Sequence, residues 1–193
     1  SNHVFDADAE HGAAGVTALL HKGRIVLIAD TLVHEWPEAE DLANIAERAA
    51  DVARDFGLEP RVAFVSFSTF GYPVSERAEK LALAPKVLDA RGVDFEYEGE
   101  MTVDVALNTQ AQAHYPFSRL TGPANILVVP ARHSASISVK LMQEMAGATV
   151  IGPILTGVDQ SIQICASVST ATDILNMAVL AACKAGEGAS RHG

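Results

Sequence analysis

The sequence predicts a three-layer α/β/α domain built on a mainly parallel sheet. Short apolar runs of strand length alternate with longer stretches of helical periodicity, which is the pattern of strands joined by crossover helices. Hydrophobic residues make up 49% of the 193, enough for a substantial core. There is no internal repeat or low-complexity linker to suggest another architecture.

The first strand expected is Arg24 to Asp30, bounded by Gly23 and by polar residues. Pro37 to Phe56 follows with apolar residues at Leu42, Ile45, Ala49, Val52, Ala53 and Phe56, which is helical spacing. Pro37 is tolerated in a first turn, Gly57 stops the helix, and Glu38, Glu40 and Asp41 suit its positive end. Arg61 to Ser68 reads as a second strand, and Ser75 to Gly92 as a helix interrupted at Pro85. Val93 to Glu98 alternates apolar and acidic residues, predicting a strand with one wet face. Ala124 to Pro130 is a buried strand, and Ser134 to Gly147 an amphipathic helix with a serine cap. Thr149 to Leu155 and Ser161 to Cys165 are further strands. Thr170 to Ala185 closes the chain as a helix apolar on more than one face, so it is expected to pack between two bodies.

Charge and composition exclude several functions. The net charge of −10 repels a polyphosphate backbone, so nucleic acid is not an expected partner. No apolar stretch approaches the ~20 residues of a spanning helix, and no signal peptide opens the chain, so no membrane partner is expected. Cys165 and Cys183 form neither a metal nor a disulfide spacing, which suits a reducing cytoplasm; each reads as a small apolar core residue. The leading Ser1-Asn2 reads as an expression scar, and the start at Val4-Phe5-Asp6 as a cut from something longer.

Neither a Walker loop nor a dinucleotide glycine fingerprint follows any strand, so no nicotinamide or ATP is expected here. His3, His11, His21, His34, His114, His133 and His192 show no paired metal spacing, and His34-Glu35 reads as a solvated pair, so no metal site is expected. No glycine-serine-glycine elbow marks a hydrolase nucleophile. The candidates that remain are loops at the carboxyl ends of strands, where open α/β sheets bind ligands. Ser66-Phe-Ser-Thr-Phe-Gly71 offers three hydroxyls to a phosphate or carbonyl oxygen, or forms a polar turn capping the next helix. Arg132 stands at a helix start, where it can hold an anionic group or lie free on the surface. Asp104 is either a helix cap or a ligand contact.

The segments Glu98–Leu107, Gly122–Pro130 and Ala148–Leu155 together resemble the phosphate acetyl/butyryltransferase family. Ile28-Ala-Asp30 and Gly57–Ala63 share the likeness, which runs from roughly Leu19 to Cys183. Ser66–Gly71 and Tyr115–Leu120 are closer to the version fused C-terminally in bacterial NADP-dependent malic enzymes. The resemblance implies a phosphotransacetylase-like fold of isocitrate/isopropylmalate dehydrogenase-like architecture, with acetyl-CoA and phosphate meeting between two domains. Residues 4–160 would form the second domain. Residues 161–185 would be a strand–helix segment completing a first domain largely outside this chain, and 186–193 a flexible tail.

The departures shape the functional expectation. Family members that transfer acetyl groups carry a serine–arginine pair before an aspartate near the last helix. Aligning that aspartate on Asp173 puts Ala166 and Ser167 at the pair. Alanine donates no proton, and serine does not replace a bidentate cation. Ala131 and His133 likewise stand where transacetylases tend to show aspartates. The resemblance therefore implies a non-catalytic regulatory domain that senses acetyl-CoA, the alternative being an active phosphate acetyltransferase. Ser66, Ser68, Thr69, Arg132, His133 and Asp173 are the expected cleft residues. Homodimerisation through this domain is expected, with NADP and a divalent metal confined to the malic enzyme part.

Overall fold

The computed structural model describes residues 12–158, 162–165 and 169–190, with 76–77 and 183–190 in backbone alone. A two-residue turn opens the architecture. Lys22 and Gly23 both take positive φ, 48° and 75°, the geometry that folds two strands into a right-twisted hairpin. It joins β1 (Ala14–His21) to β2 (Arg24–Ala29), with His21 opposite Arg24 and Val16 opposite Ala29. No strand was expected over Ala14–His21. Its small residues and Lys-Gly turn give a weak signal beside the Asn-Gly turns that announce most hairpins.

The remaining strands are β3 (Arg61–Val65), β4 (Glu96–Met101), β5 (Ile126–Val128) and β6 (Thr149–Thr156). Among the described residues they form one sheet in the order β4-β3-β5-β2-β1-β6. β4, β3, β5 and β2 run parallel, whereas β1 is antiparallel to both β2 and β6. Register fixes which side chains face each layer: Leu27 lies opposite Ile126, and Val62 opposite the same residue.

On one face Val16, Leu27, Val62, Phe64, Ile126 and Val128 are buried under α1 (Ala39–Asp55) and α2 (Glu76–Arg91). α1 begins where acidic residues can serve its free N–H groups, with the Glu38 N–H donating to Asp41 Oδ2 at 2.9 Å. Eight of its seventeen residues are buried, from Leu42 to Ala53, along one helical stripe. α2 runs unbroken through Pro85, contrary to the expected interruption. An interior proline costs about 3 kcal/mol. Leu81, Ala84 and Leu88, all buried against α1 and the sheet, offset that cost.

The other face buries Leu19, Ile28, Ala63, Val65, Leu127 and Val129 under α3 (Val103–Leu107) and α5 (Arg132–Ala146). The four-residue helix α4 (Thr109–Gln112) extends α3. Several elements differ from expectation, β3 ending at Val65 and β5 spanning only Ile126–Val128 among them. β4 starts three residues later than Val93, because Gly92 ends α2 in the left-handed conformation and residues 93–95 make the connection. α5 starts at Arg132 rather than at a serine cap, with extended Ala131 as its boundary. Residues 162–165 form no strand: instead Gln163 bonds across to Leu155, its amide oxygen accepting from the Leu155 N–H. Ser161 lies outside the described residues.

α6 (Ala171–Ser190) covers the β6 edge of the sheet, burying Met177 and partly Leu180 in the α1 core. Ile174, Leu175 and Val179 remain exposed. Residue 12 and the end of β6 meet at the carboxyl edge of the sheet. A Cβ on Gly157 would sit 2.2 Å from the Gly12 carbonyl oxygen, so the two backbones approach as only glycine allows. Among the described residues no helix is long and apolar enough to cross a membrane.

Candidate functional site

Among the described residues, a cleft of about 330 Å³ opens between α5 and α6, floored by β1 and β6. Its polar lining comes from five separate segments. Thr17 and Thr31 sit on the floor, their hydroxyls 3.0 Å apart. α5 supplies Ser136, Lys140 and Gln143, which its 3.6-residue turn places on one side of the helix. α6 supplies Asp173 and Asn176, and the connection before it supplies Cys165 and Ser169. Among the described residues, Lys140 is the one cation of the lining and Asp173 the one anion. Such a site can orient a polar, hydrogen-bonding ligand and hold one anionic group.

The floor is shaped by Asp30, buried at the end of β2. Its carboxylate accepts from the N–H groups of Gly15, Leu32, Val33 and His34, and from the His34 ring at 2.7 Å. Burial acts to raise its pKa. The His34 ring and the backbone donors outweigh that and hold the carboxyl below the usual range. His34 is raised in turn by its bond to Asp30, against partial burial. The arrangement needs Gly15, where a Cβ would meet Leu32 Cβ at 2.3 Å and Asp30 Oδ1 at 3.1 Å. Thr31 is thereby fixed in the cleft.

The six expected cleft residues fall in three places. Asp173 lines the cleft, but its carboxylate caps α6, accepting from Thr170 N at 2.8 Å and Thr170 Oγ1 at 2.7 Å. Those bonds lower its pKa. Arg132 and His133 stand at the start of α5, one turn before Ser136. Arg132 Nη1 lies 3.5 Å from the Leu32 carbonyl, and the His133 ring is 6.4 Å from that of Trp36. Ser66, Ser68 and Thr69 lie beyond β5 and β2, far along the sheet from the cleft. Their hydroxyls tie the loop to the end of β4: Ser68 Oγ donates to Glu100 at 2.9 Å, and Thr69 Oγ1 accepts from the Thr102 N–H. Glu100 also accepts from the Gly71 N–H, so the described bonds of this loop tie it to the end of β4 and neither reading is visible in them: the next helix, α2, starts after Ser75 without a side-chain cap.

Other readings resolve as well. Cys165 is exposed on the cleft wall rather than in a core, because its segment is not a strand; the Cys183 side chain lies outside the described residues. Asp104 occupies the exposed first turn of α3, its pKa lowered by the Thr102 side chain, as a cap would have it. Ala166 and Ser167 lie outside the described residues. Among the described residues no group of three or more His, Cys, Asp or Glu is placed to hold a metal ion. Sequence reasoning missed Lys140, Ser136 and Gln143. A polar stripe running from Arg132 through Ser136 and Lys140 at four-residue spacing was the available signal.

The profile described as phosphate acetyl/butaryl transferase matches residues 5–182. The NADP-dependent malic enzyme of Rhizobium meliloti is 52% identical over 182 residues, covering 94% of this chain and 24% of that protein. The phosphate acetyltransferase of Bacillus subtilis is 32% identical, covering 89% of this chain and 54% of that protein. A phosphotransacetylase from Streptococcus pyogenes has a similar structure, with a TM-score of 0.89 at 28% identity, covering 96% of this chain and 58% of that one. The chain thus spans about a quarter of the malic enzyme and little more than half of the transacetylases.

Proposed function

Since this chain belongs to the phosphate acetyl/butaryl transferase family, we propose that it is the regulatory part of a bacterial NADP-dependent malic enzyme, binding acetyl-CoA without transferring its acetyl group. The observation that carries this reading is the match of nearly the whole chain to the malic enzyme of Rhizobium meliloti at 52% identity, against 32% for the Bacillus subtilis transacetylase. Malate oxidation and its NADP and metal then belong to the rest of the parent polypeptide.

Ala166 and Ser167 support the non-catalytic half of the reading. Acetyl transfer between sulfur and phosphate needs a donor aimed at the charge that develops. Losing such a donor typically slows a reaction about a hundredfold or more. Asp173 is committed to the α6 cap, and Lys140 is the single cation lining the cleft among the described residues. One cation and several hydroxyls and amides suit binding better than acetyl transfer to phosphate.

A volume of about 330 Å³ lies at the small end for ligand sites, roughly 300–1,000 Å³, so it accommodates part of acetyl-CoA. The rest of the pocket would come from the parent chain, which would also cover Ile174, Leu175 and Val179 on α6. Regulation follows if acetyl-CoA binds one state of the parent better than another.

Calorimetric titration of acetyl-CoA into the full-length protein, paired with malate oxidation at rising acetyl-CoA, tests the reading. Saturable binding that shifts the oxidation rate is expected. Formation of acetyl-CoA from acetyl phosphate and CoA at a robust rate would overturn it in favour of an active transacetylase.

A further inference from the structure

A buried carboxylate and a partly exposed imidazole hold the floor of the cleft. The Asp30 side chain is 2% exposed, whereas that of His34 is 25% exposed and so exchanges protons with water. Asp30 Oδ1 accepts from the Gly15 and Leu32 N–H groups, both at 2.8 Å. Oδ2 accepts from the His34 N–H and from ring Nδ1, both at 2.7 Å. One carboxylate thus joins β1 to the turn after β2. Those two segments carry the two hydroxyls of the floor, Thr17 and Thr31, which are 3.0 Å apart. The Thr31 N–H also donates to the Gly15 carbonyl, so a shift of the turn moves the floor with it.

Resting on the reading that acetyl-CoA occupies this cleft, we propose that His34 is a positioning residue for it: the imidazolium holds Asp30 and the two floor hydroxyls in place, and the neutral ring lets them loosen, so that affinity falls as pH rises. A carboxylate withdrawn from water needs a counter-charge or a full set of donors. Among the described residues, His34 is the only side chain that bonds Asp30. It therefore supplies the charge, and the backbone N–H groups supply the rest.

The groups around His34 give the direction. Asp30 lies beneath it and Asp41 stands in the first turn of α1; both favour the charged ring. Glu35 is next in the chain. From the start of α5, Arg132 Nη1 points to the Leu32 carbonyl at 3.5 Å, and the His133 ring is 6.4 Å from that of Trp36. The bond to Asp30 raises the His34 pKa against partial burial. A raised histidine gives its full contribution below the ordinary value of about 6.5 and loses it as pH rises through the elevated one. Asp30, held below the usual carboxyl range, stays ionised throughout that window. By reciprocity, a ligand that needs the ordered floor takes up protons as it binds.

Calorimetric titration of acetyl-CoA into the full-length protein and its His34→Gln variant, from about pH 6 to about pH 9, tests this. The glutamine amide can donate to Asp30 without titrating, so the variant is the reference that removes the ligand's own phosphate and His133 from the comparison. The ratio of wild-type to variant affinity is expected to fall about five- to tenfold across that range. A ratio that does not change with pH would overturn the proposal. Hydrogen exchange of the Thr31 amide without ligand, corrected for intrinsic rates, is the second readout. It is expected to quicken with pH in the wild type and not in His34→Gln. Exchange that responds in this way while acetyl-CoA fails to bind at any pH would support His34 as the holder of the floor and overturn acetyl-CoA as the ligand. Exchange indifferent to His34 would overturn the positioning role itself.

Discussion

The two faces of the sheet are built to different standards. α1 buries eight residues against one face and covers it together with α2 and the Met177 side of α6. α5, nearly as long, buries Ala135 alone and leaves a cleft along one side and an apolar strip along another. The packed face contributes stability and the thinly covered face leaves room for contacts outside the body. Local stability follows buried contact, so the parts that bind or move belong to the second kind of surface.

The sharpest way to break this contrast is to empty the packed side. Phe64→Ala removes a fully buried ring between the sheet and α1, and a loss of about 3–5 kcal/mol is expected by chemical denaturation. A loss below 1 kcal/mol would mean the α1 face is looser than its burial implies. On the open side, Lys140→Ala is expected to leave the midpoint of unfolding almost unmoved. It should weaken acetyl-CoA binding by roughly ten- to a hundredfold, the worth of a hydrogen bond from a charged donor. Equal affinity for the variant would detach Lys140 from the ligand.

Protonation offers a subtler probe. His34 is raised by Asp30, so its contribution is complete below the ordinary histidine pKa of about 6.5 and is lost as pH rises through its elevated folded value. Asp30 is lowered, so its contribution holds above about 3.9 and is lost as pH falls through its depressed folded value. Hydrogen exchange of the amides of Leu32 to His34, corrected for intrinsic rates, is thus expected to be slowest between those limits and faster above them. A His34→Gln variant should lose the alkaline change. Smallest of all, Lys80→Ala removes an exposed ion pair to Glu38 on the packed side and is expected to cost at most about 1 kcal/mol.

How legible each region was follows the same division. The apolar runs at β2, β3 and β5 and the periodicity of α1 were plain, because burial on the strong face imposes regular patterns on neighbouring residues. The cleft was not, because Thr17, Thr31, Lys140 and Asn176 come from β1, the loop after β2, α5 and α6, and only the fold joins them. The bond from Ser68 to Glu100 spans 32 positions, so the internal use of that loop's hydroxyls left no local trace. Asp173 was expected through the family likeness, and its capping bonds to Thr170 became visible only in three dimensions.

The meeting of Gly12 and Gly157 has a consequence for how this body travels between proteins. The backbone that leads into β1 and the backbone that leaves β6 touch, so the sheet and the helices between them begin and end at one point, and α6 continues from there to lie over β6. A body closed in that way meets a neighbouring domain through one edge and one helix, so it can be joined to a different host without rebuilding the sheet.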